Sequence, residues 1–173
     1  MTPLDGQSTG VNMIPDFVLF SDAVSTIDYE FFIAEIKRKG NNSNGGLECD
    51  LVKLGKELQL ALNKLVGYGV DDPEVYGLLV EDDTATVLKL DIQYDGKYRM
   101  VEVSKTSAFW EFEDHVMLLP SMVEKPSHVQ RLVDTQINKF YSVLNRKRSG
   151  ARISSKQATF VRVPCQTPVA LKN

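Results

Sequence analysis

Asp16, Glu35 and Lys37 are three charged residues whose types and spacing could do chemistry. Asp16 follows Pro15, and Glu35 and Lys37 flank Ile36 some nineteen positions later. Side chains alternate across a strand, so Glu35 and Lys37 would share a face. If Asp16 opens a neighbouring strand paired as a hairpin, its carboxylate lies beside Glu35. Two carboxylates at close range raise each other's proton affinity. A hard divalent cation such as Mg²⁺ relieves that repulsion and takes oxygen ligands. It also acidifies a bound water and stabilises charge on a phosphate. A lysine beside that water orients it, helps deprotonate it, or neutralises the transition state. The Ile36 carbonyl, between Glu35 and Lys37, is placed to serve as a further metal ligand. The competing reading makes Asp16 a turn or strand cap, and Glu35 and Lys37 a solvated strand end. Phe31-Phe32-Ile33-Ala34 runs straight into Glu35. An acid at the end of a buried run needs a partner or a metal, which favours a shared site.

The elements that must position these residues are legible in the pattern. Phe17 to Phe20 is a short apolar run that fits a buried strand. Tyr29 to Lys37, rich in aromatic and β-branched residues, predicts a second strand paired with it. Ser21 to Asp28 reads as the turn, and Gly40 to Gly46 as a flexible Asn/Gly/Ser loop. Leu47, Leu51, Leu54, Leu58, Leu62 and Leu65 recur by threes and fours, which puts them on one face of a helix. Gly67 and Gly69 supply its stop. Val75 to Val80 predicts a strand beside the early ones, reached by the helical crossover. Thr84 to Tyr94 alternates, Asp95-Gly96 supplies a hairpin turn, and Tyr98 to Val103 returns. Trp110 to Leu119 suggests a short helix that Pro120 ends. Val129, Leu132, Val133, Ile137, Phe140 and Leu144 predict a long helix from Ser127 to Arg146, capped near Ser127. The order argues an α/β fold, a mixed β-sheet flanked by helices, with a later hairpin and helix. Residues 1–146 form this domain, and 147–173 are a basic tail or loosely docked extension.

Pro-Asp, a gap, and then Glu-x-Lys at a strand end resembles the PD-(D/E)XK nuclease-like superfamily, also called restriction-endonuclease-like. There the aspartate and the acidic-x-lysine triplet lie on adjacent strands, followed by a helix and another strand. Pro15 to about Val80 has that order. The resemblance implies Mg²⁺ held by Asp16 and Glu35, Lys37 as the catalytic lysine, and DNA as substrate. Some members add a glutamine on the following helix, where Gln59 stands, and an ordinary helix-face glutamine is the competing reading. Lys53 and Lys56 read as a solvated helix face. The family core usually begins with a glutamate-bearing helix, for which the fourteen residues before Pro15 leave no room. Asp5, a protein partner or a second copy of the chain would then supply what that helix brings. Asp50-Leu51-Val52-Lys53-Leu54-Gly55-Lys56 and Gly77-Leu78-Leu79-Val80-Glu81 also resemble uncharacterised fungal proteins, a likeness that implies no activity.

Composition narrows the classes further. The chain's 173 residues suit one domain with one core. No apolar run reaches the roughly 18 residues of a membrane helix, and the polar N-terminus is no secretory signal. Cys49 and Cys165 stand far apart and read as reduced thiols, which predicts an intracellular protein, cytoplasmic or nuclear. Asn41-Asn42-Ser43 then reads as a chance sequon. His115 and His128 have no cysteine spacing suited to zinc. Eight of the 20 basic residues, and none of the 23 acidic ones, lie from Thr135 onward. An acidic body holds polyanions poorly, whereas a basic tail could hold them or direct nuclear import. Two functions compete: Mg²⁺-dependent hydrolysis of DNA, and a catalytically degenerate nuclease-like domain acting as a protein-interaction or nuclear effector module.

Overall fold

A computed structural model describes residues 14–21, 28–37, 50–81, 84–107 and 115–164. The leader, the Gly40–Gly46 loop, Leu47, both cysteines, the sequon, Asp5, Trp110 and Phe112 lie outside the described residues.

Among the described residues, five strands and two helices follow in the order read from the sequence. They are β1 (Phe17–Ser21), β2 (Tyr29–Ile36), α1 (Asp50–Tyr68), β3 (Glu74–Glu81), β4 (Thr84–Tyr94), β5 (Lys97–Ser107) and α2 (His115–Arg148). The sheet order is β1-β2-β3-β4-β5. The β2–β3 pair is parallel, joined by the α1 crossover, and the other three pairs are antiparallel. The fold is thus α/β, with a mixed sheet flanked by helices.

Each element has a local cause. Leu54, Leu58, Leu62 and Leu65 are buried on one stripe of α1, as their spacing requires, while Leu51 remains 38% exposed. Gly69 ends α1 at φ 102°, with its amide on the Val66 carbonyl and the Val70 amide on the Leu65 carbonyl. That pair of bonds caps the orphan carbonyls of the last turn. Gly96, at φ 64°, makes the two-residue turn between Tyr94 and Lys97.

Alternation along β3 sorts the two faces. A Cβ at Gly77 would come within 2.9 Å of Leu58 and 3.2 Å of Leu54, so that face packs on α1. Glu74 and Tyr76 point the other way, where Gln136 of α2 reaches Glu74. One helix therefore covers each face. A bulge at Leu19/Phe20 shifts the register of β2, which lets Glu30 meet Lys64 of α1 while Tyr29 and Phe31 meet Phe140 of α2.

Pro120 does not end a helix as its sequence position suggested. Helix α2 runs through Pro120 and Pro126 and starts at His115, twelve residues before Ser127. A proline forfeits one backbone bond and strains the preceding turn. Here the stripe beyond it, Val129, Val133, Phe140 and Leu144, is buried and anchors the helix. Among the described residues no helix is long and apolar enough to cross a membrane.

Residues beyond α2 are tied to the body. Gln157 bonds Asp72 through both its side-chain amide and its carbonyl oxygen. Lys156 donates its amide to Asp71, and Gly96 donates to the Phe160 carbonyl. Residues 151–164 are a hydrogen-bonded strap across the α1–β3 turn and the β4–β5 hairpin.

Candidate functional site

The hairpin brings Asp16 and Glu35 together. Phe17 pairs with Ala34, which sets Asp16 beside Glu35, and the Asp16 amide donates to the Ala34 carbonyl at 3.1 Å. The Asp16 carboxylate accepts from the Ile36 amide at 2.7 Å. Asp16 thus clamps the end of β2. Ile36 exposes 53% of its surface, while Glu35, facing α1, exposes only 7%.

The cation at Glu35 is Lys53 rather than Lys37. The Lys53 Nζ lies 2.8 Å from Glu35 Oε1 and also donates to the Ile14 carbonyl at 3.0 Å. Lys37 lies just past the end of β2 and pairs with Asp50, at the first position of α1, at 3.5 Å. Its amide meanwhile continues the ladder to the Val80 carbonyl. Gln59 is not part of this corner. With Asn63 it donates to the Arg162 carbonyl, so it holds the strap.

Matching geometry explains why a helix lysine reaches a strand acid. Lys53 and Lys64 are eleven residues apart on α1, about 16 Å of helix rise. Glu35 and Glu30 are five apart on β2, again about 16 Å of strand. Lys64 Nζ lies 2.7 Å from Glu30 Oε1, so two lysines of α1 neutralise two acids of β2.

Glu57 completes the corner. It lies one helical turn beyond Lys53, 3.8 Å from its Nζ, and is 1% exposed. Among the described residues, neither of its carboxylate oxygens has a hydrogen-bond partner. Burial first, and then the Glu35 charge, push its carboxyl up to about 8, against the opposing pull of Lys53. Burial acts to lower the Lys53 ammonium, but the bond to Glu35 and the charges of Glu57, Glu35 and Asp16 overcome it and raise its pKa.

Glu57 escaped the sequence reading, although one signal pointed at it, and Lys53, read as part of a solvated helix face, instead pairs with Glu35 and Glu57. Glu57 falls three residues after Leu54 and four before Ala61, squarely on the buried stripe. A carboxylate at core spacing demands a partner. Lys53 flanks that stripe, and only the three-dimensional register of α1 on β2 reveals its contact.

This donor set suits a hard cation in chemical type, since Glu35 and Glu57 are oxygen donors with a single ammonium between them. Among the described residues, however, no group of three or more His, Cys, Asp or Glu side chains could hold a metal ion. His128 is exposed on α2, and the side chain of His115 lies outside the described residues.

No protein-family model, no curated protein and no solved structure matches this chain. The nuclease-like resemblance therefore rests on Pro15, Asp16, Glu35 and Lys37 and on their order in the fold.

Proposed function

We propose that the corner formed by Asp16, Glu35, Lys53 and Glu57 is a nuclease-like site for hydrolysis of a DNA phosphodiester. The observation that carries this reading is Lys53, whose ammonium lies between Glu35 and a buried acid with no hydrogen-bond donor of its own among the described residues. Acids in excess of cations at a sheet end suit a hard divalent cation better than they suit a stable core. Asp16 and Glu35 would hold Mg²⁺, with the Ile36 carbonyl beside them. When bound, the cation supplies Lewis acidity and an acidified water.

The chain's own residues do the rest. Lys53 would face a phosphate oxygen or the attacking water if a cation occupied Glu35. It takes the place that the sequence pattern gave to Lys37, which is engaged with Asp50. Glu57 keeps a proton within reach of that lysine. The site of action is intracellular, cytoplasmic or nuclear, in keeping with two widely spaced cysteines.

A second reading has its own supporting observation. The Asp16 carboxylate already accepts from Ile36, and Lys53 already neutralises Glu35 and binds Ile14. A corner closed in this way suits a catalytically degenerate domain that binds a protein partner or a second copy of itself.

Calorimetric titration with Mg²⁺ and Mn²⁺ separates the two readings. Binding in the wild type that is lost in Asp16→Ala/Glu35→Ala, with DNA cleavage lost in Lys53→Met, supports the hydrolase. No binding in the wild type leaves the degenerate reading standing.

A further inference from the structure

The end of the molecule opposite this corner carries a different charge. Helix α2 finishes in Arg146, Lys147 and Arg148. Gly150, at φ 87°, turns the chain back, with its amide on the Lys147 carbonyl and the Ala151 amide on the Arg146 carbonyl. The strap then returns past Gly69, where Ile153 makes close contact. Ser155 and Gln157 are buried, whereas Arg152, Ser154 and Lys156 are exposed. Alternation along this extended stretch thus turns Ile153 and Ser155 inward and the two cations outward.

The obvious structural role accounts for only part of this. Cations in the last turn of a helix stabilise its dipole, which explains Arg146 to Arg148. It does not explain Arg152 and Lys156, which stand outside the helix. Other late cations have structural work: Lys139 donates to the Asp72 carbonyl, and Arg162 pairs with Asp95. Lys147 lies over the Tyr68 ring at 3.8 Å. Three acids meet the strap, and each has a partner there: Asp71 accepts from the Lys156 amide, Asp72 from Gln157 and Asp95 from Arg162. No acidic residue follows Asp134.

We propose that Arg146, Arg152 and Lys156 form a docking patch for the phosphate backbone of nucleic acid. The patch is held in place rather than strung along a free tail, because the helix cap and the strap's hydrogen bonds fix its two halves against each other. Guanidinium groups pair with phosphate oxygens in a two-pronged geometry that suits a regular backbone. An anionic membrane is the poorer ligand. Polybasic segments need an apolar anchor for stable attachment. Within 146–156 the apolar residues are Ala151 and the inward-turned Ile153.

Lys53 and Tyr68 mark the two ends of α1, fifteen residues or about 22 Å apart. A duplex reaching from the patch to the acidic corner spans about six or seven base pairs. The docking itself is independent of whether that corner hydrolyses anything.

Fluorescence anisotropy of a labelled 20-base-pair duplex and a 20-nucleotide single strand, in EDTA, tests the patch without any metal. Three phosphate contacts predict a log–log salt slope of about −2.7, or roughly fortyfold weaker binding from 50 to 200 mM salt. Arg152→Gln/Lys156→Gln, at exposed positions, lowers the slope by about two units. A control pair on other elements, Lys97→Gln/Arg131→Gln, leaves it unchanged. The two probes show which form of nucleic acid is preferred. An unchanged slope in Arg152→Gln/Lys156→Gln overturns the proposal, as does binding to phosphatidylserine vesicles without binding to either probe.

Discussion

Each face of the sheet holds a lysine between acids, and the two sites differ in how fully those acids are answered. On the α2 face, Lys89 lies 2.8 Å from Glu74 and 3.4 Å from Asp91. Arg99 grips Asp91 with two bonds, and Tyr76 and Gln136 both donate to Glu74. Burial acts to raise the Glu74 carboxyl, yet the bonds from Lys89 and Tyr76 and the Lys89 charge bring it below its usual value. On the α1 face, Lys53 is shared between Glu35 and Glu57, and Glu57 rises to about 8. A satisfied buried network rigidifies a fold, whereas a partly satisfied one is costly unless something else uses it. The same residue types therefore read as architecture on one face and as a candidate site on the other.

This contrast predicts opposite responses to pH. Glu57 has a folded pKa above its unfolded value of 4.5. The folded state binds its proton more tightly, so stability falls as pH rises from about 4.5 to about 8. Glu74 is depressed, so its contribution is present above pH 4.5 and is lost as pH falls through its folded pKa. The largest expected effect is at Glu57. Glu57→Gln should remove the alkaline loss, gaining on the order of 3 kcal/mol over the wild type at pH 8 and little at pH 5. Urea midpoints at the two pH values measure it. An equal shift at both would mean that Glu57 is not held protonated. Glu74→Gln should instead flatten only the acid limb.

A smaller effect sharpens the comparison from the other side. Asp91 is 3% exposed and accepts from Arg99, with Lys89 nearby. Asp91→Ala leaves Lys89 with one acid and Arg99 with none, and should cost about 2 kcal/mol in urea unfolding at pH 7. Lys53→Met, on the opposite face, removes the cation from two acids already in excess. It should raise the Glu57 pKa further and carry the alkaline loss on to higher pH. If Asp91→Ala proves neutral while Lys53→Met is severe, the assignment of architecture and site should be reversed.

The sequence exposed the two faces unequally. Period-two alternation around Leu88, Leu90 and Ile92 marked β4, and Asp95-Gly96 marked its turn, because both signals are local. The leucine stripe marked α1 for the same reason. Asp16 beside Glu35 followed from pairing two neighbouring strands. Lys53 on Glu35 did not, because it depends on how α1 lies across β2, a relation that no short stretch of sequence encodes. Pro120 misled because its local penalty was outweighed by packing more than a turn away, at Val129, Val133 and Phe140. Glu57 was legible in principle: it breaks an otherwise apolar stripe, and such breaks are expected where a fold carries a site.

The smallest expected effect concerns Gln59, which the nuclease-like pattern offered to the active site and which instead binds the strap. Its amide and that of Asn63 converge on the Arg162 carbonyl at 3.0 and 2.9 Å, and Tyr98 bonds both Asn63 and Arg162. Removing one of several donors to a single carbonyl leaves that oxygen satisfied. Gln59→Ala should therefore cost only about 0.5–1 kcal/mol and leave any metal binding at Glu35 unchanged. Faster hydrogen exchange confined to residues near Arg162 would match that role. A loss of metal affinity in Gln59→Ala, with the strap's exchange unaltered, would return Gln59 to the corner and extend the site along α1 beyond Glu57.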